Sequence, residues 1–134
     1  MLTGRACAVL AEPVVVGRAV AENGVWRGTA AVPIAAEEPV FAGHFEDFPI
    51  FPGMCVLECA HRGALAIAPA EFGDGRLTAI ESARFTAPVY PGDTLTVEVE
   101  WRDAGERWYC AAGARVAARE VAVLRLAYLP GGAP

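Results

Sequence analysis

Lysine is missing from this sequence: all 11 of its basic side chains are Arg. That absence excludes Schiff-base catalysis, which needs a lysine amine. Basic charge is also outnumbered, with 16 acidic residues and a net charge of −5. An acidic chain with dispersed Arg is poorly built to grip a phosphate backbone, so nucleic acid is not expected as a partner. No run of about 18 apolar residues occurs, so no segment is expected to span a membrane. Residues 1–10 hold one Arg and a short apolar run, a poor signal peptide, and the expected location is the cytoplasm. None of the four cysteines, Cys7, Cys55, Cys59 and Cys110, forms a CxxC pair. Cys55 and Cys59 share a helix face, but a metal there would need two further ligands, so all four read as small buried hydrophobes. His44, Glu46 and Asp47 lack metal-site spacing, and no metal is expected. Internal repeats and low-complexity linkers are absent as well.

What the sequence does have is apolar material. Hydrophobic residues make up 54% of the 134, enough to offset the entropy of ordering one domain and too little chain for two. The expected unit is residues 1–134, with its core at about 13–129 and a flexible tail at 130–134. Residues 13–34 read as a β-hairpin turning at Asn23-Gly24, a pair that supplies the positive φ angles of a tight turn. Residues 35–51 read as a loop because Pro and Gly recur in it, yet they carry Phe41, His44, Phe45, Phe48 and Phe51. Residues 53–68 read as the one substantial helix. Pro52 suits its start, Pro69 stops it, and Met54, Leu57, Ala60, Ala64, Leu65 and Ala68 form its apolar positions. Strands are expected at 77–87, 94–102, 108–116 and 120–129, with alternation clearest in Thr94-Leu-Thr-Val-Glu-Val-Glu-Trp. A hairpin, one apolar helix and a run of strands point to an α+β fold, in which an antiparallel sheet curls around the helix.

The chemistry concentrates between Gly43 and Glu58. This stretch ends an aromatic loop with His44, passes Pro52-Gly53 at a helix N-terminus, and places Glu58 within the helix. β-Elimination from a thioester needs those parts. A neutral imidazole, with an ordinary pKa near ~6.5, can take the proton beside the carbonyl. A carboxylic acid kept neutral by apolar surroundings can protonate the departing hydroxyl. Unpaired N–H groups at a helix start can stabilise the negative charge on the thioester oxygen, each worth about 3 kcal/mol in the transition state. Gly53 is the candidate donor, since a glycine lets substrate approach the backbone.

The segment from Gly43 to Glu58 resembles the signature of the 3-hydroxyacyl-acyl-carrier-protein dehydratases of bacterial type II fatty acid synthesis. That signature runs Gly-His-Phe, then prolines, then Pro-Gly, with an acid fourteen positions after the His, the offset of His44 and Glu58. Ala83-Arg84-Phe85-Thr86-Ala87-Pro88-Val89-Tyr90-Pro91-Gly92-Asp93 resembles a second strand-and-turn motif of the same family, and the likeness runs from about residue 14 to residue 129. It implies a hotdog fold and a site shared between two subunits, His44 from one and Glu58 from the other. It implies an acyl carrier protein as partner. The acyl chain would arrive on a phosphopantetheine arm, with no separate cofactor. The assembly would be a homodimer, a heterodimer with another hotdog subunit, or a larger set of dimers.

Three departures stand out: Glu46 replaces a usual Pro, Arg62 replaces a Gln four positions after the acid, and the N-terminal Pro-His-Arg element is missing. They suggest a specialised relative, in polyketide or polyene synthesis. Arg62 has three openings. It can pair with Glu58 at i+4 and oppose its service as acid, pair with Glu46 or Asp47, or bind a phosphate of the prosthetic arm. His61 is a supporting candidate beside Glu58. Arg84 can face the carrier protein or cap Glu81, and Tyr90 can line the mouth of the acyl-chain tunnel that the resemblance implies, or simply pack. Two rival functions stay open: a non-catalytic hotdog subunit supporting an active partner, which Arg62 favours, and an acyl thioesterase, which does not require His44.

Overall fold

The computed structural model describes residues 9–18, 22–42 and 51–131. Among the described residues six antiparallel strands form one sheet in the order β1-β2-β4-β5-β6-β3. The strands are β1 (Val14–Arg18), β2 (Val25–Pro33), β3 (Arg76–Phe85), β4 (Thr94–Asp103), β5 (Trp108–Val116) and β6 (Arg119–Leu129). Helix α1 (Pro39–Ala42) is a single turn, α2 (Gly53–Ile67) is the main helix, and a short 3₁₀ turn covers Ala70–Phe72. The curled sheet wraps α2, which is the hotdog arrangement expected. Among the described residues no helix is long and apolar enough to cross a membrane.

Local chemistry explains most elements. β1 pairs with β2 across the Asn23-Gly24 turn, where both residues have positive φ, 55° and 74°. In β4, Leu95, Val97, Val99 and Trp101 point inward while Glu98 and Arg102 face out, a period of two that fixes the register against β2 and β5. Helix α2 opens after Pro52, and its chain turns extended at Ala68 ahead of Pro69. Its buried face is Cys55, Val56, Leu57, Cys59, Ala60, Gly63, Ala64 and Ile67. Small side chains let it lie close to Ala30 of β2 and Val97 of β4. Cys55, Cys59 and Cys110 are buried, as expected of them; Cys7 lies outside the described residues.

Several expectations need correction. Met54 and Leu65 are 48% and 39% exposed, because at 100° per residue they fall on the helix side opposite the buried Val56 and Gly63. The stretch 35–51 is not all loop: it contains α1, and Glu38 in the turn before it is 2% exposed. Among the described residues, buried core side chains extend back to Val9, ahead of residue 13. The tail is docked at its start, since Gly131 N–H donates to the Phe72 carbonyl at 2.7 Å.

Candidate active site

Helix α2 begins where the two sequence motifs meet. Phe51 N–H donates to the Val89 carbonyl at 2.7 Å in an isolated antiparallel bridge, joining the middle of the first motif to the second. The Phe85 ring lies over Gly53, 3.4 Å from where a Cβ would stand. The Pro91-Gly92-Asp93 turn is fixed in turn to Ile34, which exchanges backbone bonds with Gly92 and Asp93. Cys55 and Val56 N–H both donate to the Pro52 carbonyl, leaving the amides of Gly53 and Met54 without an acceptor inside the helix. The helix start is therefore framed by an aromatic ring and a tied segment, with two amides that the helix itself leaves unbonded.

Glu58 lies in the second turn of α2, on the outward side that also carries Met54, Arg62 and Leu65. Of the three openings for Arg62, the structure forms the pair with Glu58. Arg62 Nε donates to Glu58 Oε2 at 2.7 Å, with the two side chains 12% and 16% exposed. Arg62 Nη1 donates to the carbonyls of Val9 and Ala11 at 2.7 and 3.0 Å. Nη2 is buried with no hydrogen-bond partner among the described residues.

His61 does not bond to Glu58. Its Nδ1 lies 2.7 Å from the Tyr128 hydroxyl, and the two rings stack at 5.6 Å. Burial lowers the pKa of His61; Glu58 opposes that shift and Arg62 adds to it. Burial likewise pushes the Tyr128 phenol far up, so it stays protonated and can donate to Nδ1.

The remaining candidates stand apart. Arg84 is exposed on the edge strand β3 and forms no ion pair with Glu81 among the described residues. Tyr90 is half exposed; its N–H donates to Asp93 Oδ2 at 2.9 Å, and Arg119 lies 5.9 Å above its ring. Neither is joined to Glu58 by a hydrogen bond or ion pair among the described residues. His44 lies outside the described residues, as do Glu46 and Asp47. Sequence reasoning missed Glu38 and Tyr128. A glutamate in a Pro-rich loop and a tyrosine near a strand end carry no local sign of burial.

Residues 22–120 match the ApeI-like family, described as ApeI dehydratase. A 3-hydroxyacyl-[acyl-carrier-protein] dehydratase named FabZ, from Haemophilus ducreyi, is 40% identical over 86 residues, covering 60% of this chain and 55% of the relative. The chain thus spans about half the length of the curated relatives it matches. Among solved structures, the dehydratase heterocomplex ApeI:P from Xenorhabdus doucetiae is similar at a TM-score of 0.65, with 16% identity over 88% of this chain and 98% of that one. The fluoroacetyl-CoA thioesterase FlK has a TM-score of 0.60, with 21% identity over 77% of this chain and 83% of that one. These structural likenesses establish the hotdog fold. With the family match covering most of the chain and both motifs inside it, the chain belongs to the ApeI-like dehydratase family.

Proposed function

We propose that the protein dehydrates a 3-hydroxyacyl thioester, carried on the phosphopantetheine arm of an acyl carrier protein in the cytoplasm, to the trans-2-enoyl thioester. In this reading His44 takes the proton from the carbon beside the carbonyl. The electron pair forms the double bond, and the hydroxyl leaves with a proton from Glu58 as water. The Gly53 amide holds the thioester oxygen while its charge grows. The observation that carries the reading is the arrangement at Glu58. Arg62 bonds to Oε2, and no bond to Oε1 is found among the described residues, so in this reading Oε1 carries the transferred proton. The exposed Met54 and Leu65 on the same side of α2, with Ile80 and Phe85 on the open edge strand β3, suit a contact with a second hotdog subunit supplying His44. The departures at Glu46 and Arg62 favour polyketide or polyene synthesis over housekeeping fatty acid synthesis.

The guanidinium beside Glu58 attracts a charged carboxylate, and this pair favours a second reading, a supporting subunit whose partner performs the chemistry. Mass spectrometry of a 3-hydroxyacyl carrier protein after incubation separates the readings. Loss of water from the acyl chain supports dehydration, and His44→Ala should then slow it by a factor on the order of 10² or more. Release of the free carrier thiol points to a thioesterase. No change alone, with dehydration restored by a second hotdog chain, supports the supporting-subunit reading.

A further inference from the structure

Glu38 is a buried acid for which the dehydration scheme has no use. Both of its carboxylate oxygens accept backbone bonds, Oε1 from Leu10 N–H and Oε2 from Ala11 N–H, each at 2.8 Å. No cation pairs with it directly among the described residues. The same three-residue segment is gripped from its carbonyl side by Arg62 Nη1, through Val9 and Ala11. The Val9 carbonyl and the Leu10 N–H belong to one peptide group. That group therefore lies between a carboxylate at its hydrogen and a guanidinium at its oxygen. Both polarise it in the same sense, so each bond strengthens the other. The guanidinium then passes its Nε–H to Glu58. A continuous line of bonds thus runs from Glu38 through the Val9–Leu10 peptide and Arg62 to Glu58, using three separate parts of the chain.

We infer that Glu38 is a positioning residue for Glu58: by fixing the Val9–Leu10 peptide it fixes Arg62, and Arg62 decides which oxygen of Glu58 faces the substrate. The inference rests on the reading of Glu58 as part of the site. A merely structural Glu38 would anchor residues 9–11 and affect stability alone.

Arginine side-chain NMR separates the two roles without any substrate. In the unaltered protein the Leu10 and Ala11 amides and the Arg62 Nε–H should exchange with solvent through one shared opening, showing equal protection after allowance for intrinsic rates. Glu38→Gln replaces one accepting oxygen with an NH₂ group, and should speed exchange of the Arg62 Nε–H by about tenfold. If the protein dehydrates its substrate, Glu38→Gln should also lower kcat about tenfold with KM nearly unchanged, and should add nothing in an Arg62→Met background. Unequal protection of the three hydrogens in the unaltered protein would overturn the inference. So would a Glu38→Gln variant that melts earlier yet keeps Arg62 Nε–H exchange as before. An unaltered protein with no dehydration at all would count against the proposed function, while the exchange measurements would still decide whether Glu38 holds Arg62.

Discussion

Two unlike environments meet along α2, and they are held by different forces. On its sheet-facing side, Phe72, Trp101, Trp108 and Tyr128 form a buried aromatic cluster with ring separations between 4.7 and 6.3 Å. Its sole link to the helix backbone by a side-chain bond among the described residues is Trp101 Nε1–H to the Ala64 carbonyl, at 2.9 Å. On the outward side, Glu58, Arg62, Glu38 and the backbone of residues 9–11 are joined by directed bonds between charges and peptide groups. Apolar packing is non-directional and its losses scale with volume removed. The polar side is different in kind. Losing one member strands the rest without partners, so the damage exceeds the strength of any single bond.

The largest expected effect lies on the aromatic side. Trp101→Ala removes a fully buried ring and the Ala64 bond, and should lower unfolding free energy by about 4 kcal/mol in denaturant titration. A loss as small as that of a surface substitution would break the comparison.

Arg62→Met should come next, at about 3 kcal/mol, because it leaves Glu58 and two carbonyls unpaired in a mostly covered site. Adding Glu58→Gln should recover part of that loss, since the stranded charge is then gone. Strict additivity of the two substitutions would contradict a coupled network.

The smallest effect concerns pH and the His61–Tyr128 bond, which joins the two sides. His61 has a lowered pKa in the folded protein, mainly through burial. The unfolded chain therefore binds the proton more readily. Stability should be fully present above the ordinary value of 6.5 and decline as pH falls through the lower folded value. His61→Phe should flatten that part of the stability–pH curve, and an unchanged slope would remove His61 as its cause.

The same division governs what could be read from the sequence. Thr94–Trp101 alternates cleanly, Asn23-Gly24 names its own turn, and Pro52 and Pro69 bracket α2 to within a residue; each signal is local. The motif that holds Glu58 was also visible, with Arg62 marked as its neighbour. What Arg62 bonds to besides Glu58 was not, because Val9 and Ala11 lie 53 and 51 residues away. Glu38 reaches back 27 and 28 residues, and Tyr128 meets His61 across 67. Burial of a polar group depends on such partners, and nothing in its immediate sequence announces them. Met54 and Leu65 failed for a related reason: an apolar side chain near helical spacing can serve an outer face as well as a core.

The proposed dehydration has His44 of one protomer acting with Glu58 of another, and mixed dimers test this most directly. Co-expression of differently tagged His44→Ala and Glu58→Gln chains yields heterodimers in which one of two symmetric sites retains both residues. The expected result is about half the wild-type rate of water loss per dimer, while each variant alone stays near zero. Mixed dimers as inactive as either variant, beside an active wild-type dimer, would contradict a site shared in this way.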